Sequence, residues 1–260
     1  MPAQVRATKI LLYDFPGSIC CQMTRLALAE KGVSYECQTV DIMEAAEQFE
    51  PWYTALNPKA VVPTLVIDDE IVTDTIRIVH RVDKDFEGPS LTPANANGAK
   101  TMDQMMRDIM GLHYGVLLYS RRLDADGKAP TVIARGKFLR EQLRKYPTRA
   151  EVLNSRIAGN EKMQKILTQP AKVERHVGEA MALVSQIDRA LAKTPFVSAN
   201  HYTLADTFAT AALARFRLHG FDAWWSGGHN PNVATYYQRM QERPSWSAAG
   251  VTDSGNERDI

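Results

Sequence analysis

The chain has 260 residues, 45% of them hydrophobic and 23% charged, and a formal net charge of +1. That length accommodates one large domain or two modest ones with a sizeable core. The even charge, with no run of five like charges, excludes nucleic acid or an anionic membrane as the main partner. No apolar stretch approaches the roughly 18 residues that span a bilayer. The run Ile10-Leu11-Leu12, behind Met1–Thr8, is too short for a signal-peptide core, so a cytoplasmic location is expected. The three cysteines, Cys20, Cys21 and Cys37, are too few and too unevenly spaced for a disulfide framework or a structural zinc site. No metal is expected.

In chain order, Lys9–Phe15 reads as a strand around its apolar run, and Pro16-Gly17 as a turn. From Ser18 the spacing of Met23, Leu26, Ala27 and Leu28 predicts a helix that Lys31-Gly32 closes. Val33–Asp41 is a strand candidate. Glu44–Leu56 has helical character interrupted by Pro51, so a broken helix is expected. Thr64–Asp68 and Glu70–Thr73 form a hairpin across an acidic turn, and Asp74–Phe86 returns to helical periodicity. The order β-α-β-α-β-β-α predicts a mixed four-stranded sheet with helices on both faces.

Gly88-Pro89-Ser90 and Pro93–Gly98 read as a linker. Beyond it Met102–Arg122, Thr131–Tyr146, Val173–Ala192, Thr203–Leu218 and Asn232–Glu242 read as helices. The expected division is residues 1–88, an α/β domain; 95–252, an all-helical domain; and 253–260, a polar tail. Thr203-Leu204-Ala205-Asp206 has capping-box spacing and is read as a helix cap without catalytic role.

Three segments carry chemistry. Ser18, Cys20 and Cys21 stand where a strand turns into a helix. The unpaired amides of a helix start favour an anion and lower a thiol's pKa. A cysteine there serves either catalysis or packing, and Arg25 can add positive charge. Val62-Pro63 precedes a strand. A cis bond would aim the Val62 N–H and C=O into open space, where a peptide ligand can pair as an added strand; an ordinary trans proline is the alternative. Asp74-Thr75 opens a helix, either as a cap alone or as a ligand site on its exposed amides.

The segments Arg25–Gly32, Asn57–Leu65, Asp74-Thr75 and Thr203–Asp206 together resemble the glutathione transferase superfamily over nearly the whole chain. Ser18-Ile19-Cys20, Val40-Asp41-Ile42, Phe49-Glu50-Pro51, Lys59–Leu65 and Tyr236–Met240 are similar to its zeta-like members and to the hydroquinone reductive dehalogenases related to them. The resemblance implies a thioredoxin-like α/β N-terminal domain followed by an all-α domain, with glutathione as cosubstrate and usually a homodimer. It also implies that Ser18 activates the glutathione thiolate, that Val62 before cis-Pro63 pairs with its cysteinyl backbone, that Asp74 and Thr75 hold its γ-glutamyl end, and that Lys59 meets its glycyl end. Cys20 falls on the cysteine that attacks the sulfur of a glutathionyl-hydroquinone. The family usually has Glu or Gln at Asp74 and Ser at Thr75, many relatives have Gln at Val61, and Cys21 is an addition without expected role.

The function so implied is glutathione-dependent reductive dehalogenation of a small, halogenated aromatic electrophile. The alternatives are a zeta-type isomerase, or glutathione conjugation including aryl ether cleavage, without Cys20 attack, or a non-catalytic binding module. The helical domain would wall the electrophile site. Met106, Met110, His113 and Tyr114, with Met105 and Tyr119, are expected on one long helix facing it, as pocket or as core. Arg25, Arg107 and Arg121 either meet an acidic substrate or are solvated surface.

Overall fold

The computed structural model describes residues 9–252; segment 1–8 and the expected polar tail 253–260 lie outside the described residues. Strand β1 (Ile10–Asp14) buries Ile10, Leu12 and Asp14 on one face and half-buries Leu11 and Tyr13 on the other, the period-two pattern of a strand covered on both sides. It lies inside a four-stranded sheet ordered β2-β1-β3-β4. β2 (Glu36–Thr39) is parallel to it, with Cys37 opposite Leu12. β3 (Thr64–Ile67) is antiparallel, with Leu65 opposite Leu12, and β4 (Glu70–Thr73) completes the hairpin with Thr73 opposite Thr64. β2 is shorter than the predicted 33–41 because only the stretch facing Leu11–Asp14 finds ladder partners, and all four of its residues are exposed.

Helix α1 (Ile19–Glu30) ends where the glycine signal predicted. Gly32 adopts φ +68°, its N–H reaches Ala29 O, and Val33 N–H reaches Leu28 O. This pair of bonds is the Schellman closure that favours glycine at the left-handed position. The expected broken helix over 44–56 is a 3-10 turn at Glu47–Phe49 followed by α2 (Pro51–Leu56). Pro51 occupies the first turn of α2, where its missing N–H has no intrahelical partner to lose. After the hairpin comes α3 (Thr75–Asp85).

The remaining elements are helical: α4 (Ala96–Met110), α5 (Tyr114–Ser120), α6 (Pro130–Lys145), α7 (Ala150–Leu167), α8 (Pro170–Leu191), α9 (Leu204–Leu218), α10 (Ala223–Ser226), α11 (Pro231–Gln241) and α12 (Pro244–Ala248). Two expectations need correction. The single helix over 102–122 is two, because Gly111, a poor helix former, caps α4 by donating to Arg107 O and the chain turns through Leu112-His113 before α5. And α7, eighteen residues long, was not predicted: its buried residues are only Leu153, Ile166 and Leu167, too few to give a strong apolar stripe.

α9 is the buried axis of the fold, with every residue from Leu204 to Phe216 buried, and it packs on α1 and α4. Its predicted cap is present. Asp206 Oδ2 accepts from Thr203 N–H at 2.8 Å and Thr203 Oγ1 at 2.7 Å, while Oδ1 accepts from Val197 N–H and Tyr236 OH at 2.9 Å. Helices α6 and α7 pack chiefly on each other and rest on two small clusters apart from the main core. One of these joins Leu139 and Leu153 to Ala46, Phe49 and Ala60 of the first domain. Among the described residues no helix is long and apolar enough to cross a membrane.

Candidate active site

Ser18 is the N-cap of α1, in extended conformation, and its Oγ accepts from Cys21 N–H at a long 3.4 Å. The amides of Ile19 and Cys20 have no acceptor among the described residues, so the positive end of α1 is open. Ser18 faces a cavity of about 190 Å³ that it shares with Ile42, Gln48, Phe49, Ala60, Val61, Val62, Arg135 and Arg156. The Val62-Pro63 bond is cis. Neither the N–H nor the C=O of Val62 is engaged by another described residue, whereas Val61 O is held by Tyr53 OH at 2.7 Å and Asn57 Nδ2 at 2.8 Å. Burial pushes the Tyr53 hydroxyl up to about 12, so it stays a donor at neutral pH. The loop is thus anchored at Val61 and leaves a free donor–acceptor pair at Val62, the arrangement an added peptide strand requires.

Cys20 lies on the other side of the helix start. Its half-buried thiol lies in the surroundings of Thr75, Asp74 and Arg215. Burial pushes the thiol up, Thr75 and Arg215 pull against it, and Asp74 adds to the rise. The expectation of a depressed thiol pKa is therefore corrected: desolvation at this site outweighs the opposing interactions. Cys21 is fully buried, accepts Phe15 N–H on its sulfur, and is pushed well up by burial. All three cysteines are free thiols.

Asp74 caps α3, its Oδ1 accepting from Ile76 N–H at 3.1 Å and Arg77 N–H at 3.2 Å. It is exposed, at φ +78°, while Thr75 is buried. Lys59 is exposed and lines a separate surface cavity of about 550 Å³ with Pro58 and Arg149, not the cavity of Ser18. Its carbonyl accepts from Arg156 at 2.9 Å.

The helix-wall residues divide. Met106 is fully buried in the main core and Met110 packs against that core, so neither lines the wall cavities. Met105 is buried in the same core. Once Gly111 breaks the helix, His113 faces a cavity of about 440 Å³ with Tyr119, Val132, Leu139 and Met163. Burial, then His176, whose ring lies edge-on at 5.2 Å, hold His113 below the usual imidazole range. Tyr114 turns the other way. Its hydroxyl donates to Ile109 O and its ring stacks on Phe216; burial, then Cys20, pushes its ionisation well up, against Arg215.

Of the three arginines singled out in the sequence, Arg25 is committed to the interior. Its Nη1 lies 2.6 Å from both Asp14 carboxylate oxygens. Its Nε reaches Ala249 O at 2.7 Å, and Nη2 reaches Pro16 O at 3.2 Å, directly before the Ser18 turn. Arg121 stacks over Phe221, and Arg107 bonds Gln104 on the surface. Sequence reasoning missed Arg135, Arg156 and Arg215. Arg215 alone left a trace, a cation in the otherwise apolar run of α9; its Nη2 donates to Gly17 O at 2.7 Å. Among the described residues no group of three or more His, Cys, Asp or Glu is placed to hold a metal ion.

Comparison with known proteins adds to this geometry. The pattern described as "Glutathione S-transferase, N-terminal domain" matches residues 17–85, and "Glutathione S-transferase, C-terminal domain" matches residues 170–239. The chain is 33% identical over 246 residues to tetrachloro-p-hydroquinone reductive dehalogenase of Sphingobium chlorophenolicum, covering 94% of this chain and 96% of that one. It is 24% identical to 2,5-dichlorohydroquinone reductive dechlorinase of Sphingobium indicum, covering 90% and 80%. Its fold is similar to that of β-etherase LigF of Sphingobium sp. strain SYK-6, with a TM-score of 0.71 at 18% identity, covering 93% of this chain and 98% of that one.

Proposed function

The chain belongs to the glutathione S-transferase family, and from that premise we propose that it removes halogen reductively from an aromatic, hydroquinone-like substrate at the expense of two glutathiones. It is an enzyme of the glutathione transferase type with glutathione as cosubstrate. The observation that carries the reading is that Ser18, at the open start of α1, lines one cavity with the unengaged Val62 backbone, with the Cys20 thiol two residues on in the field of Asp74 and Arg215. The relative named for dehalogenating tetrachloro-p-hydroquinone supports the substrate class.

In this reading Val62 holds the cysteinyl backbone of glutathione, Asp74 and Thr75 its γ-glutamyl end, and Lys59, on the neighbouring cavity beyond Arg156, its glycyl end. The Ser18 hydroxyl and the open amides of α1 stabilise its thiolate. The thiolate forms a carbon–sulfur bond at the halogen-bearing carbon, and halide leaves with its electron pair. The Cys20 thiolate then attacks the thioether sulfur; the carbon–sulfur bond breaks toward carbon, which takes up a proton. A second glutathione thiolate displaces Cys20 from the mixed disulfide. The sum converts an aryl halide and two glutathiones to the reduced arene, glutathione disulfide, halide and a proton.

One observation favours a rival. Because burial raises the Cys20 thiol, the resting enzyme holds little thiolate there, which suits isomerisation or conjugation without Cys20 attack. Cys20→Ser decides between them with a chlorinated hydroquinone and glutathione, products followed by mass spectrometry. The reductive reading expects glutathionyl-hydroquinone to accumulate in place of the reduced arene. Unchanged yield of reduced arene rejects it.

A further inference from the structure

The small cavity at Ser18 and the larger one at His113 share two side chains, Arg135 of α6 and Arg156 of α7, which form the partition between them. Each is pinned by one bond to the first domain: Arg135 Nη1 donates to Ile42 O at 3.2 Å and Arg156 Nη2 to Lys59 O at 2.9 Å. Those acceptors are neutral carbonyls. Neither guanidinium has a carboxylate within ion-pairing distance among the described residues, although neighbours such as Arg140 and Lys145 do. The charged side chains lining the larger cavity are Arg135, Arg156 and Lys162, and no Asp or Glu lines it. The small cavity likewise has these two arginines and no acid.

Two guanidiniums on one partly buried wall, neither ion-paired to a carboxylate, each carry the cost of burying a charge. Burial holds both below the usual arginine range; at Arg135 the Tyr119 hydroxyl opposes this and Arg156 adds to it. An anion placed between them relieves both penalties and gains charge-assisted hydrogen bonds. The cations gather on the His113 chamber, whose remaining lining includes Tyr119, Val132, Leu139 and Met163, a surface suited to an apolar ring.

We propose that Arg135 and Arg156 bind an oxyanion carried on the ring of the electrophile, so that the enzyme selects acidic aromatic substrates over neutral ones. This rests on the catalytic reading above. Ring halogens acidify phenols, so an ionised phenol and a carboxylate meet the same chemistry.

The test uses the full-length enzyme with glutathione and two aryl halides, 4-chloro-3,5-dinitrobenzoate and the uncharged 4-chloro-3,5-dinitrobenzamide. The readout is the ratio of their kcat/KM values. The wild type should prefer the acid, and Arg135→Gln or Arg156→Gln should lower the ratio roughly 10-fold each, the scale of one charge-assisted hydrogen bond. Arg135→Lys should retain part of it. A ratio that does not move while only the KM for glutathione rises would assign the arginines to glutathione and overturn the proposal. Calorimetric titration with 2,6-dichloro-4-nitrophenol and its methyl ether extends the comparison to phenolate: stronger binding of the phenol that depends on Arg156 supports the site. If neither aryl halide turns over, the catalytic reading fails, and equal binding of phenol and ether would separately overturn the anion site.

Discussion

Replacing Arg25 with Met tests how the turn before Ser18 is held. The Arg25 and Asp14 side chains are 9% and 5% exposed, so the substitution leaves a carboxylate in the interior with no cation beside it. Breaking one side of a buried pair typically costs about 3–5 kcal/mol, while replacing both partners with apolar groups is often neutral. Arg25 also satisfies Ala249 O and Pro16 O, so the loss spreads to α12 and to the turn. We expect Arg25→Met to lose about 4 kcal/mol. The double variant Asp14→Leu/Arg25→Met should recover most of that, leaving about 1–2 kcal/mol for the two orphaned carbonyls. Guanidinium unfolding followed by tryptophan fluorescence and circular dichroism, arranged as a double-mutant cycle, measures both. A loss below about 1 kcal/mol in the single variant, or a double variant no more stable than the single, would refute the assignment of Arg25 to structure.

Ser18→Ala removes a helix cap and the proposed thiolate partner together. Stability should fall by about 1 kcal/mol, while conjugation of glutathione with a generic aryl halide falls about 10- to 100-fold, the range of one hydrogen bond to a charged group; Ser18→Thr should restore most of both. His219, buried at the end of α9 with Nδ1 unpaired, is held down to about 4 by burial and by Arg215 and Arg122. Its contribution is full above the unfolded value near 6.5 and is lost as pH falls toward 4, because the unfolded chain takes up a proton that the folded one resists. That is about 3 kcal/mol across the window. His219→Gln should flatten the fall in denaturation midpoint between pH 7 and 4, and an unchanged slope would contradict the account.

The first half of the fold was legible because local chemistry and global structure agree there. The Gly32 closure, the Pro51 break, the hairpin and the Asp74 cap each use a residue whose backbone preference leaves few options. The Thr203–Asp206 cap was equally plain. The wall of the site was not. Gly111 is a single glycine within an otherwise helical pattern, and its break decides that His113 meets the chamber while Met106 goes to the core. Arg135 and Arg156 sit among charged neighbours on helices with weak apolar stripes, where sequence gives a guanidinium no address. Only the packing of α6 and α7 over Ile42 and Lys59 sets them at the cleft. Arg25 shows the converse: conspicuous beside the reactive segment, it is consumed by Asp14 across the strand.

The separate clusters beneath α6 and α7 have an evolutionary reading. α9 and the sheet share one continuous interior, so a change of volume there is felt throughout the body. The leaf that carries Arg135, Arg156, Lys162 and Met163 draws on interiors of only a few residues each. Substitutions at Lys162 or Met163 can reshape the chamber at little cost to the main interior, whereas changes at Arg135 or Arg156 also reach the Ser18 cavity that both line. The wall that Lys162 and Met163 give the chamber is thus free to diversify faster than the interior shared by α9 and the sheet.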